Sequence, residues 1–311
     1  MKNKSYNIIR KWMYRNARPI DLARYQYHFE AGGKEVVLKC LSVYQNEDGG
    51  FGHALEADSW NPNSTPIQTW TATEIIKELD ITESSHQIIQ GILTYLASGE
   101  AFVSNRWLNT VRSNNDYPGA PWWHFEEEES HNLRFNPTAS LSGFALKHAD
   151  RESALFQLAK EIAIESVEYF IRTEVVDEMH EIYCFVNLMT CLQDANLTAL
   201  VDYDLYQNKL KEVIHQLIEK DFSKWPGNYV CKPSQFFDNP ESLFYDDNKE
   251  ASLFEIEFIQ NTRNADGVWE IPWSWGSYDS EFAISKNWWM GNLVIKNMLL
   301  LKHHGLLLGG Y

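Results

Sequence analysis

The chain has 311 residues, 44% of them hydrophobic, and a formal net charge of −16. Such a charge repels phosphate backbones and anionic lipid headgroups, which argues against nucleic-acid or membrane-surface partners. No stretch is long and apolar enough to span a bilayer, and the N-terminal residues carry no apolar signal core. The chain therefore reads as a cytoplasmic protein without stable membrane insertion.

Helical periodicity runs along the chain. Ile8, Ile9, Trp12 and Met13 form one apolar face; Leu22, Tyr25 and Phe29 form a second, after Pro19 at a first-turn position. Val36, Val37, Leu41 and Tyr44 form a third, which ends in the polar run from Asn46 to Gly50. Further helices are predicted over 65–79, 85–98, 137–148, 152–173, 178–193, 204–220, 250–262 and 282–303. Alternating β-branched runs are scarce, so no sheet of any size is expected. The last helix, with Trp288, Trp289, Met290, Leu293, Val294, Ile295, Met298 and Leu301, has almost no polar side and should be buried all round.

Long loops rich in Gly, Pro, Asn and aromatics separate these helices, over 45–64, 114–136, 222–249 and 263–280. Loops of that length usually carry function. Three of them follow one plan, in which a helix, a glycine-aromatic loop and another helix succeed each other. A unit of two helices cannot bury its apolar faces alone, so stacked hairpins are implied. The four cysteines (Cys40, Cys184, Cys191, Cys231) are widely spaced, as suits reduced thiols.

Gln45-x-x-Asp48-Gly49-Gly50-Phe51-Gly52, followed by a helix opening at Pro66, resembles the glycine-aromatic repeat of squalene-hopene cyclases and protein prenyltransferase β-subunits. Gln260 with Asp266-Gly267-Val268-Trp269 is a looser copy, and Trp122-Trp123-His124 a third without the glycine pair. The resemblance implies an all-α fold, an α/α toroid of about five or six helical hairpins forming one domain over 1–311. The glycines permit a tight turn, and Gln45 and Asp48 reach backbone groups at helix ends, so the motif acts as a staple.

The chemistry of those families does not carry over. The D-x-D-D acid of the cyclases has only Asp202-Tyr203-Asp204-Leu205 to match it, and Asp202 or Asp204 reads as a helix cap. The zinc site of the prenyltransferases needs Asp-x-Cys, which is absent. His180, Cys184 and Cys191 share a helix face, but seven residues separate the two thiols, about 10.5 Å of helix, too far for one ion. Asp246-Asp247-Asn248-Lys249-Glu250 has the outline of a metal-diphosphate motif, yet it precedes a helix, where acids favour the dipole. No cofactor is predicted, and a divalent metal at Asp246, Asp247 and Glu250 stays open. Glu126 to Glu129 reads as a solvated acidic face.

If the hairpins close, three loops converge on one mouth. His53, Glu56 and Asp58 are then the catalytic candidates, because the Gly49-Gly50 turn aims them inward. Trp60, Trp122, Trp123, His124, Glu126, Trp269, Trp273, Trp275 and Glu281, with Asp279 beside them, would line the pocket. Flat aromatic walls with interleaved carboxylates suit a neutral small molecule. The expected function is binding or transformation of such a molecule by a lyase or isomerase of terpenoid cyclase-like type. A carbohydrate-active α/α-barrel enzyme and a non-catalytic ligand-binding module are the alternatives, and oligomeric state is left open.

Overall fold

The structure, a computed structural model, describes residues 3–127, 134–174 and 177–307. Among these residues the chain is mostly helical, with eleven α-helices. They are α1 (Asn3–Asn16), α2 (Pro19–Phe29), α3 (Lys34–Ser42), α4 (Pro66–Glu78), α5 (Gln87–Ser98) and α6 (Thr138–His148). They continue with α7 (Ala154–Arg172), α8 (Met179–Asp194), α9 (Tyr203–Leu217), α10 (Lys249–Asn261) and α11 (Asp279–His303). The all-α expectation holds, and each predicted helix forms within a few residues of its expected ends. No described helix is long and apolar enough to cross a membrane.

Local chemistry sets the boundaries. Thr65 caps α4 by accepting from the Gln68 amide, with Pro66 in the first turn. Ser153 does the same for α7 through the Phe156 amide. Asp202 accepts from the Leu205 amide at 3.1 Å at the start of α9, the capping role expected of it. One β-hairpin went unpredicted: β1 (Phe102–Val103) pairs antiparallel with β2 (Arg106–Trp107). Ser104 and Asn105, at φ 51° and 58°, connect the strands. Two left-handed residues match the strand twist, but two-residue strands are too short to show alternation in sequence.

The chain divides into two compact units, 42–213 and the two ends, 1–41 with 214–311. In the unit built from the ends, α11 packs on α1, α2 and α10. Ile9, Trp12, Met13, Tyr25, Ile256, Trp269, Val294, Ile295 and Met298 are buried together there. A buried charge cluster sits beside this core. Asp21 accepts from Arg18 Nε at 2.6 Å and from Arg24 Nη1 at 3.3 Å, and Arg24 also reaches Asn292 Oδ1. The expected burial of α11 on all sides does not hold: Ile284 is 45% exposed and Lys296 and Lys302 face solvent, while Met290, Val294, Ile295, Met298 and Leu301 are buried.

In the other unit α6 is the helix withdrawn on nearly every side. It packs on α7 and α8 and touches α4 and α5. Its burial rests on small residues, among them Ala139, Ser140, Ser142, Gly143 and Ala145. A Cβ on Gly143 would stand 3.0 Å from Cys191 Cβ, so α8 lies as close as backbone allows. Phe135, Phe170, Phe185 and Tyr206 fill the space beyond, with Phe170 and Phe185 stacked at 4.7 Å. The buried Tyr206 hydroxyl is satisfied by Phe185 O at 2.7 Å.

The two glycine-bearing loops close with one hydrogen-bond pattern. The Asn46 amide donates to Gly50 O and the Gly49 amide to Asn46 O, at 2.9 and 3.0 Å. The Asn264 amide donates to Val268 O and the Gly267 amide to Asn264 O, at 2.7 and 3.0 Å. Both glycines have positive φ, 89° and 79°. The common feature is therefore Asn-x-Asp-Gly followed by a buried aromatic two residues on, Phe51 or Trp269. Gln45 does staple, donating to Gly49 O and to Ile88 O at the head of α5. Gln260 does not; its amide returns to Ile256 O of its own helix.

Two measurements test this account. A Cβ on Gly49 would meet Gly91 O at 2.1 Å, whereas one on Gly267 meets only the Ile8 side chain at 2.6 Å. In urea titrations Gly49→Ala should therefore cost about 3 kcal/mol or more, combining positive-φ strain with backbone overlap, and Gly267→Ala distinctly less. His148 of α6 is buried, with Ser84 Oγ at 3.1 Å from Nδ1. Burial, aided by the charge of Lys147, pushes its pKa down to about 4. Below pH 6.5 the unfolded chain takes up a proton that the folded chain refuses until about pH 4. Stability should fall as pH drops through that window, and His148→Gln should flatten this part of the profile.

Candidate functional site

Two of the three loops expected to converge do meet. Ser59 bridges Gly119, the Trp60 amide donates to Pro118 O, and the Ala120 amide donates to Asp58 O at 2.8 Å. Buried Asn61 donates to Ser113 Oγ and Asn114 Oδ1, and Gln68 of α4 holds Asn61 O and the Leu55 amide. His53 and Ala54 both have φ 60°, a left-handed pair that this network holds in place. His53 itself is exposed, and its Nε2 lies 2.9 Å from Asn46 Oδ1. Glu56 and Asp58 are buried, and Glu56 Oε2 accepts from the Asp58 amide at 2.9 Å.

The proposed lining residues have different settings. Trp60 and Trp123 are half-buried, while Trp122, His124 and Glu126 are exposed. Glu128 and Glu129 of the acidic run lie outside the described residues. In the unit of the chain ends, Trp269 is buried and donates to Ile259 O at 2.7 Å, sealing the end of α10. Trp275 is buried against Phe282. Trp273 is half-buried between Tyr229 and Trp289, with ring centroids at 5.3 and 5.5 Å. Asp279 and Glu281 occupy the first turn of α11. Asp246, Asp247 and Glu250 are exposed at the head of α10, where acids favour the dipole. Among the described residues no three His, Cys, Asp or Glu side chains are grouped to hold a metal ion. Cys184 is buried at 3.6 Å from Asn136 Oδ1, and burial raises the pKa of both Cys184 and Cys191, the latter to about 11.

A different cluster, unmarked by any motif, joins α4, α6 and α8. Trp70, Glu74 and Lys77 fall at i, i+4 and i+7 on α4, one face of that helix. Tyr183 and Asn187 fall at i and i+4 on α8. The Tyr183 hydroxyl donates to Glu74 Oε2, and Asn187 Nδ2 donates to Glu74 Oε1 at 2.8 Å and to Ser140 Oγ at 3.1 Å. Lys77 Nζ donates to Asn187 Oδ1 and lies 5.8 Å from the Tyr183 ring. Burial first, then the adjacent Glu74 charge and hydrogen bond, raises the Tyr183 pKa far above that of a free phenol. The proton therefore stays on Tyr183.

This cluster is half open. Trp70, Glu74 and Tyr183 are half-buried and Lys77 is exposed, while the enclosed Trp70 Nε1 has no hydrogen-bond partner. A carboxylate offers about four acceptor positions, so the two bonds to Glu74 leave capacity for an incoming donor. The arrangement sets a base, a cation and an indole along one helix face. The signal was present in the polar spacing of 70, 74 and 77. It was indistinguishable in sequence from the wet side of an ordinary amphipathic helix.

The cluster also ties α4 to α8, and melts of single variants should show it. Tyr183→Phe, which removes a bond to a carboxylate, should cost about 2 kcal/mol. Lys77→Ala, at an exposed position, should change stability by less than about 0.5 kcal/mol.

Comparison of the chain with family models, with curated proteins and with solved structures returns no match.

Proposed function

We propose that this chain is an α/α-toroid protein that binds and transforms a neutral small molecule, with Glu74 on α4 as the base of the reaction. The observation that carries this reading is the half-open carboxylate held by Tyr183 and Asn187 beside Trp70. The recurrence of the Asn-x-Asp-Gly turn in both units supports the toroid part, as it supplies similar joints between successive helices.

The chemistry follows from the groups present. Glu74 takes a proton from a bound molecule, and the Lys77 ammonium returns one nearby, while Tyr183 keeps its proton and holds Glu74 in place. Abstraction and return of a proton is isomerase or lyase chemistry. The cluster contains one carboxylate, whereas glycoside hydrolysis uses two about 5–9.5 Å apart. The half-buried Trp70 ring offers a flat apolar wall, suited to an unsaturated ligand.

A second reading, carbohydrate binding without catalysis, is favoured by Tyr229, Trp273 and Trp289. These aromatics touch in sequence, and Tyr229 is 49% exposed. One panel separates the two readings: the unsaturated aldehydes geranial and farnesal against neutral oligosaccharides, followed by tryptophan fluorescence and by deuterium uptake into the ligand in heavy water. For the catalytic reading the aldehydes should change the emission, and Trp70→Phe should remove the change. Glu74→Gln should keep binding but slow exchange by about 10²–10⁴-fold. Exchange equal in wild type and Glu74→Gln would eliminate Glu74 as the base. Oligosaccharide quenching lost in Trp273→Ala, but kept in Trp70→Phe, would select the second reading.

A further inference from the structure

The second Asn-x-Asp-Gly turn differs from the first in what surrounds it. The first is filled: Gln45 spans it and Gly91 of α5 abuts Gly49. Beside the second, Gln260 turns back along α10 and leaves an open cleft of about 340 Å³. Ser5, Ile8, Gln260, Asn261, Arg263 and Asn264 line it. At about 30 Å³ per water, such a space holds about ten waters or one small organic molecule.

Arg263 gives this cavity its chemistry. It is half-buried and, among the described residues, has neither an ion pair nor a hydrogen bond. Arg18 and Arg24, the other described arginines of this unit withdrawn from solvent, are both paired with Asp21. A guanidinium partly removed from water gains from an anionic partner, and this chain has 43 acidic residues to supply one. Among the described residues none stands within ion-pair distance of it. The C-terminal end of α10, at Asn261, favours a positive charge nearby but leaves the planar fork unengaged.

The remaining polar groups divide into committed and free. Asn264 Oδ1 accepts from the Asp266 and Val268 amides, and its Nδ2 donates to Glu270 at 2.7 Å. Ser5 and Asn261 make no side-chain hydrogen bond among the described residues. Ile8 supplies an apolar wall against Gly267.

We propose that this cavity is a binding site for a small carboxylate, with the Arg263 fork on the carboxylate oxygens and Ser5 and Asn261 on a second polar group of the ligand. The site is independent of the Glu74 cluster and stands or falls without it. A two-oxygen fork matches a carboxylate in one plane, and the volume of the cleft accommodates roughly the bulk of a four- to six-carbon hydroxy or amino acid.

Calorimetric titration of the full chain with L-malate, succinate and inorganic phosphate at low salt tests this. Malate should bind with a millimolar or lower Kd and more tightly than phosphate. Arg263→Ala should weaken malate binding at least tenfold, and Arg263→Lys should recover only part of the loss because it keeps charge without the fork. Arg263 stabilises no neighbour, so both variants should melt like wild type. Ile8→Trp, which fills the cavity, should abolish binding in a chain whose helical circular dichroism is retained. Malate affinity unchanged in Arg263→Ala, phosphate binding as tight as malate, or no heat with malate at 20 mM (roughly the weakest affinity this fork should give) would each overturn the proposal.

Discussion

The close approach of α6 to α8 is the constraint on which the arrangement of the larger unit depends. It exists because α6 presents Ser140 and Gly143 where most buried helices present leucines. With Gly143 against Cys191, the two backbones come near enough for Ser140 to accept a hydrogen bond from Asn187. The second donor bond of Asn187 Nδ2 goes to Glu74 and its Oδ1 accepts from Lys77, so α4 is drawn into the same cluster. A bulky residue at 143 would separate the helices and break a polar chain that spans three of them. Packing density, rather than any charged contact, thus sets the distance at which the polar groups meet.

Burial and charge are distributed unequally between the units. The unit of the chain ends buries Asp21 between two arginines beside an otherwise apolar core. Burying ions is costly unless they are paired, and removing one partner costs more than the pair contributes. Such a cluster therefore enforces one arrangement of α2 against α11, where Asn292 completes it. The Glu74 cluster differs in being half open, so its groups remain usable by a ligand. The same physics of satisfied polar groups gives a fixed joint in one place and an available carboxylate in the other.

Recurrence of the Asn-x-Asp-Gly turn shows how a local device is reused with different consequences. In both copies a glycine at positive φ lets the chain reverse, and an aromatic two residues later is buried. The flanks then diverge, because Gln45 meets the start of α5 while Gln260 finds only its own helix. Aligning the two segments on their glutamines misplaces the correspondence by three residues. The backbone bonds of Asn46 and Asn264 put it right.

The helices themselves were written in the sequence. A period of 3.6 in Ile9, Trp12, Met13 or Leu155, Phe156, Ala159, and caps such as Thr65, Ser153 and Asp202, depend only on neighbours a few residues away. The turn chemistry of Gly49 and Gly267 was legible for the same reason. What tertiary structure decided was which polar residues face one another. Glu74 and Tyr183 are 109 residues apart, and nothing in either helix alone tells a shared site from a wet face. Hydrophobicity likewise pointed to α11 as the helix buried on all sides. Small residues had placed α6 there, since burial follows the space neighbours leave as well as the apolar surface a helix carries.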